Sequence, residues 1–304
     1  MLGLRILHID TGAEMRGGQH QVLLLLKALQ DAGHQSTLLA RRKSPLWQAA
    51  SEAGIPVYRA SARNLWKYSK RSQIVHAHDA GAHTLAALAS RQKFVVSRRV
   101  AFPVGRNLAS MWKYRKASRF LAVSQFVAKE LQTAKIPENK IDVVFDAVEN
   151  VQSVGTWNPE YPAVALASKD AQKGRDLVEL AAKASGIEVL FSDDLPRDLS
   201  RASMFIYITR SEGLGSAALL AMNVGIPVIA SRVGGLAEVF ADGVSGIYVN
   251  NEVTEIVRAM RRVLGTRTLA QNLIDGGRAR VAECFTVEQL LRSTLNSYGG
   301  AFGG

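Results

Sequence analysis

Short β-branched runs alternate with helix-period segments along the whole 304-residue chain, and no other feature narrows the fold as much. That rhythm is the pattern of stacked βα units around parallel sheets. Strands are expected at 4–9, 35–40, 55–59, 73–78, 93–97, 119–123 and 141–145, enough for one seven-stranded sheet. After the first strand, the segment from Gly18 to Ala32 places Val22, Leu25, Leu26 and Leu29 on one helical face, and Gly33 stands where a helix-ending glycine belongs. Residues 146–162 carry Gly155, Pro159 and Pro162 without periodicity and read as a linker. A second, shorter series follows, with strands at 163–167, 187–191, 204–208, 226–230 and 246–249. The expected fold class is α/β with two Rossmann-like domains, residues 1–155 and 156–285, and a final stretch at 286–304 whose helix packs back onto the first domain.

At 47% hydrophobic residues each domain can bury a core. The single cysteine, Cys284, excludes an intrachain disulfide framework and a cysteine-based zinc site, and it suits a reducing compartment. The start, MLGLRILHIDTG, has too short an apolar run for a signal peptide, and no apolar stretch reaches the length of a membrane span. The expected location is cytoplasmic. The net charge of +12 is uneven: residues 1–150 hold 23 Lys+Arg against 10 Asp+Glu, while residues 151–304 hold 15 against 16. No acidic residue stands between Asp79 and Glu130, a stretch that includes Arg98, Arg99, Arg106, Lys113, Arg115 and Lys116. A surface of one sign concentrates partners of the other, so an anionic membrane, an acidic acceptor or a nucleic acid is indicated; a plain solvated face is the alternative.

Three motifs carry chemistry. DTGAEMRGGQHQ puts Gly12, Gly17 and Gly18 ahead of the first long helix, where backbone amides can approach a phosphate or sugar at the positive helix end. The spacing is not that of a dinucleotide fingerprint, and no acidic residue ends the second strand, which disfavours a nicotinamide cofactor. His76 and His78 alternate along one strand at its C-terminal end, so both point to one face. One touching substrate, a hydrogen-bonded core pair and a metal pair all remain open; a metal lacks a third ligand nearby in sequence. In residues 208–249 a buried strand runs into Glu212-Gly213-Leu214-Gly215 and then directly into a helix from Ser216, which aims a carboxylate and several amides at one place. Gly225, Pro227, the Gly234-Gly235 turn and Glu238 follow.

The order strand, EGxG, helix, GxPV, strand, GG, E, DG, G resembles the donor-binding half of the family 4 retaining glycosyltransferases. IVHAHD, SRRVAFP, SRFLAVSQFVAKEL and KIDVVFDAVE resemble the acceptor half of the same family. SRRVAFP and WKYRKASRFLAVS are similar to members that build lipopolysaccharide or other envelope glycans. The resemblance implies the GT-B fold, two Rossmann-like domains facing across a cleft, and transfer of a sugar from a nucleotide-sugar donor with retention, without a metal or other cofactor. By position, His78 matches the family's cleft histidine, and Gly17 and Gly18 its loop toward the donor phosphates and acceptor. Lys173 matches the lysine on the diphosphate, and Glu212 the first of a paired-glutamate motif at the donor sugar. Gly213, Leu214, Gly215 and Ser216 fall in the donor loop.

The chain departs from the pattern in three places. Leu220 replaces the second glutamate, which serves the ribose. Ser168 replaces an arginine, with Lys169 beside it as a substitute charge. One βα unit of the donor half is missing. These departures favour an alternative, a non-catalytic protein that binds a sugar nucleotide or glycan. Expected partners are a nucleotide sugar, a glycan or lipid-linked acceptor and an anionic membrane surface, which would place the chain peripherally on the inner face of the cell membrane. Nucleic acid is not expected, because its stacking candidates Phe94, Phe102, Trp112, Tyr114 and Phe120 fall among core-type residues.

Overall fold

The computed structural model describes residues 3–105, 107–149, 156–168 and 170–302; Arg106, Lys169 and the boundary expected at residue 155 lie outside them. The chain divides into two units. One runs to Asp146 and resumes at Val287, and the other spans Ala147 to Thr286.

All seven strands expected in the first unit form: β1 (Arg5–Asp10), β2 (Gln35–Ala40), β3 (Val57–Arg59), β4 (Ile74–Ala77), β5 (Phe94–Arg98), β6 (Arg119–Ala122) and β7 (Ile141–Val143). They make one parallel sheet in the order β3-β2-β1-β4-β5-β6-β7. Helices α1 (Gly17–Asp31), α2 (Pro45–Glu52), α3 (Ala62–Ser69), α4 (Ala80–Ala89), α5 (Leu108–Lys116) and α6 (Gln125–Thr133) alternate with the strands. Ser44, Ser61, Asp79, Asn107 and Ser124 start α2 to α6, each side chain accepting from a first-turn amide. The apolar face of α1 docks as its periodicity requires, with Val22, Leu25, Leu26 and Leu29 at most 1% exposed. Each such side chain contributes roughly 1.5–3 kcal/mol on burial, which holds α1 against the core.

The second unit contains β8 (Ala163–Leu166), α7 (Arg175–Ser185), β9 (Val189–Ser192), α8 (Leu195–Leu199), β10 (Met204–Tyr207), α9 (Ser216–Val224), β11 (Val228–Ser231), β12 (Ile247–Val249), α10 (Val253–Gly265) and α11 (Arg267–Cys284). Its five strands are parallel in the order β12-β11-β10-β8-β9. Met204, Ile206, Ile229, Ile256, Met260 and Val263 lie at the centre of its core. Between α7 and β10 the chain places only β9 and the five-residue α8, which accounts for the shortness read from the sequence.

The last helix, α12 (Val287–Phe302), belongs to the first unit. Leu290, Thr294, Tyr298 and Ala301 are buried at helical spacing, so one face packs inward. Among the described residues no helix is long and apolar enough to cross a membrane.

Candidate functional site

Open parallel sheets bind ligands beyond the C-terminal strand ends, where the strand order reverses. In the first unit that point lies between β1 and β4, and in the second between β8 and β10. The sequence motifs fall there: the glycine loop after β1, the histidines at the end of β4, Lys173 after β8 and Glu212 after β10.

In the first unit Asp79 ties the two loops together. It caps α4 by accepting from the Ala82 amide at 2.8 Å, and it accepts from Thr11 Oγ1 at 2.7 Å and from the Thr11 amide. Asp10, 1% exposed, accepts from the Gly12 amide at 2.9 Å and from Gln19 Nε2. Burial, and then the nearby Asp79, hold the Asp10 carboxyl above the usual carboxylate range. Gly17 opens α1 and is exposed; a β-carbon on Gly18 would lie 4.0 Å from Arg99 Cδ.

Parallel register sets His8 of β1 opposite His76 of β4. His8 Nδ1 lies 2.9 Å from His78 Nε2, and the two rings are nearly parallel at 5.2 Å. His76 sits beside them, its ring centroid 3.9 Å from that of His78, with Nδ1 2.7 Å from the Tyr298 hydroxyl and Nε2 2.8 Å from Ser97 Oγ. Burial drives the His8 ring down to about 3 and holds His76 and His78 well below the usual imidazole range, so all three are neutral near pH 7. Neighbouring rings and the Arg99 guanidinium lower His76 and His78 further. The rings bring nitrogens within 4.8 Å of one another, a separation a metal ion can span. Both nitrogens of His76 already have protein partners, and a divalent ion would face the Arg99 charge, so the donor set suits a chain of hydrogen-bonded neutral imidazoles better.

In the second unit Lys173 ends the turn before α7, and the loop after β10 is laced to that turn. Thr209 Oγ1 and the Arg210 amide donate to the Gln172 carbonyl at 2.9 and 2.7 Å. Lys173 Nζ donates to Glu212 Oε2 at 2.7 Å, the Tyr207 hydroxyl donates to the same oxygen, and the Gly213 amide donates to Oε1 at 3.1 Å. The pair is largely shielded, with side chains 27% and 16% exposed. Burial, and then Glu212, hold the Tyr207 phenol well above its usual range, so it stays a donor. Gly215, at φ +109°, starts α9 without a side chain to occupy the first amides, and that first turn holds no acidic residue. Such a terminus attracts anions. Gly234, at φ +51°, closes on Glu212: a β-carbon there would stand 2.3 Å from the Glu212 carbonyl oxygen.

Lys173 and Glu212, which the resemblance assigns to the diphosphate and to the sugar, therefore form one ion pair. Gly213, Leu214 and Gly215 are buried and Ser216 is half-buried, so the Leu214 side chain, 2% exposed, packs inward. Ser168 Oγ accepts from the Asp170 amide at 3.2 Å, and Leu220 is half-buried on α9. His78 is 6% exposed. The basic residues divide. Arg98 donates to the Tyr114 hydroxyl at 2.6 Å and to the Phe102 carbonyl, and Arg99 pairs with Asp146 at 2.9 Å, so both turn inward. Lys113 is half-buried against Thr84, while Arg115 and Lys116 are exposed. Phe94, Tyr114 and Phe120 are core residues; Phe102 and Trp112 are exposed. Sequence reasoning missed His8, Ser97, Tyr207 and Tyr298. A histidine inside LRILHI and a tyrosine inside MFIYIT were the available signals, since a polar tip in a buried strand needs a partner.

Comparison with known proteins decides the family. The family model described as Glycosyltransferase Family 4 matches residues 15–149, and the one described as Glycosyl transferases group 1 matches residues 131–266. The chain belongs to the family 4 glycosyltransferases. A D-inositol 3-phosphate glycosyltransferase of Nocardioides is 29% identical over 171 residues, 54% of this chain and 35% of that protein. The chain spans 40% or less of the length of the curated relatives it matches first. The GT-B fold of the family is matched by Anabaena HepE, solved with UDP and glucose, at a TM-score of 0.85 and 15% identity, covering 97% of this chain and 99% of that one. The lipopolysaccharide outer core galactosyltransferase WaaB is matched at 0.72 and 15%, covering 97% and 99%.

Proposed function

We propose that this family 4 glycosyltransferase moves a sugar from a nucleotide-sugar donor to an envelope glycan or lipid-linked acceptor, with retention and without a metal. The second unit takes the donor and the first takes the acceptor. The observation that carries the reading is the Lys173–Glu212 pair at 2.7 Å, held by Tyr207 beside the open start of α9. A cation and free amides at one point suit a diphosphate leaving group, and the carboxylate suits sugar hydroxyls. In the step, the bond from the anomeric carbon to the β-phosphate oxygen breaks and the acceptor oxygen bonds to that carbon on the same face. The acceptor proton passes to the departing diphosphate. Lys173 neutralises that charge in the role a metal would otherwise fill.

The neutral, desolvated His78 suits hydrogen bonding to substrate rather than proton abstraction. Membrane association rests on α5, where exposed Leu108, Met111 and Trp112 share a shallow cavity of about 490 Å³ with Arg115 and Lys116. Such a face fits an anionic membrane.

The test is Glu212→Ala. Transfer should fall about 100-fold or more, with the circular dichroism spectrum unchanged, because an interaction made in the transition state is lost. Unchanged turnover would remove Glu212 from the reaction. A wild-type chain that binds sugar nucleotide yet neither transfers nor hydrolyses it would be the binding protein that Leu220 favours.

A further inference from the structure

His78 has a neighbour whose purpose the proposed reaction does not use. His8 is fully buried, and its only polar partner among the described residues is His78 Nε2, 2.9 Å from His8 Nδ1. A neutral imidazole carries one N–H, so one proton lies between the two nitrogens and its location dictates what the far side of each ring presents. The far sides are alike in one respect: His8 Nε2 and His78 Nδ1 are both buried with no hydrogen-bond partner.

Two arrangements are possible. With the proton on His78 Nε2, His78 presents a bare acceptor at Nδ1, and His8 must bury an N–H at Nε2 that nothing satisfies. With the proton on His8 Nδ1, His8 buries only a lone pair and His78 presents an N–H. Orphaned buried donors are the rarer and costlier defect, while under-used acceptors are tolerated. Of the three histidines only His78 follows the C-terminal end of its strand, where a ligand of such a sheet sits, and only it has any exposure, 6% against 0% for His8 and His76, so it is the ring a ligand approaches first. Arg99 points the same way. It can only donate, its Nη1 is also buried without a partner, and its side chain packs beside Gly18 at the mouth of the glycine loop. An oxygen that accepts from Arg99, such as a phosphate, carboxylate or ring oxygen, is served by a donating His78.

We infer that His8 is a positioning residue: it donates Nδ1–H to His78 Nε2 and so fixes His78 as a hydrogen-bond donor, through Nδ1–H, to a substrate oxygen. The substrate's identity rests on the transfer reading above, but the proton's location does not. His76, bonded to Tyr298 and Ser97, walls the pair and holds the rings in place.

The test uses the full chain with ¹⁵N-labelled histidine near pH 7.5, where long-range ¹H–¹⁵N correlations separate protonated from bare ring nitrogens. Wild-type His78 should show a protonated Nδ1 and a bare Nε2. His8→Asn, whose amide N–H stands near the place of Nδ1–H, should keep that pattern and keep turnover near the wild-type value. His8→Leu should mix or reverse the pattern and lower kcat/KM by at least about 10-fold, as expected when an oriented donor is lost. A proton on Nε2 in the wild-type spectrum overturns the inference without any variant, and so does a His8→Leu protein that leaves both the pattern and turnover unchanged. The expected wild-type pattern in a chain that transfers no sugar upholds the inference and sinks the transfer reading instead.

Discussion

At the scale of single residues the second unit's site is held by groups that satisfy one another. Glu212 spends both carboxylate oxygens on Lys173, Tyr207 and the next amide, and its carbonyl accepts from the Gly235 amide at 3.0 Å. A donor that reaches Lys173 must compete with the carboxylate, and one that reaches Glu212 must compete with the lysine. Gly234 is what lets the backbone close on Glu212. Gly234→Ala adds a β-carbon 2.3 Å from a carbonyl oxygen at a left-handed φ, two costs that together come to about 2 kcal/mol or more. A drop of roughly 5 °C or more in the melting of the second unit is expected by calorimetry. An unchanged transition would show that the loop adapts freely.

At the scale of elements, the alternation of strand and helix was legible because each buried strand is a short apolar run bounded by turn residues. All twelve strands form where the sequence places them, within two residues at each end. What a helix presents to its surroundings was less legible. The basic stretch counts as one patch in sequence, yet Arg98 and Arg99 turn inward onto Tyr114 and Asp146. Charge composition fixes how many cations a segment holds, and only packing fixes where they point. On α5 the outward set is Leu108, Met111, Trp112 and Arg115, spaced three and four apart on one face, with Lys116 stacked 4.2 Å over Trp112. Sedimentation with phosphatidylglycerol vesicles is expected at low salt, with Trp112 fluorescence shifting to the blue. The double change Arg115→Glu and Lys116→Glu should weaken that binding by about 30-fold or more, at roughly 1 kcal/mol per cation removed. Equal affinity for phosphatidylcholine vesicles would argue against an electrostatic role.

At the scale of the whole molecule, four buried histidines make stability depend on pH. His8 is held down to about 3 and His83 to about 4, and His76 and His78 are also lowered, mainly by burial. Unfolding returns each to its ordinary value near 6.5, so below that the unfolded chain binds more protons. Stability is therefore full above about pH 6.5 and falls as the pH drops toward the folded values, by up to about 1.4 kcal/mol per pH unit for each histidine. Asp10, raised by burial and then by Asp79, acts in the opposite direction, but only between its folded value and the unfolded value near 3.8. Urea midpoints should fall steeply from pH 6 to pH 4, and a flat profile would mean that the rings are reached by water. This network could not be read from the chain. His8 and His78 lie 70 positions apart, and His76 and Tyr298 lie 222 apart, so only the register of β1 with β4 and the return of α12 unite them.

That return has a consequence for biosynthesis. Residues 287–302 leave the ribosome after both sheets have emerged, so the nascent first unit must wait with His76 lacking its phenol partner and a flank of α1 bare. The second unit, one continuous stretch, suffers no such delay. Of the two units, the one whose translation starts first is the one whose packing is completed last.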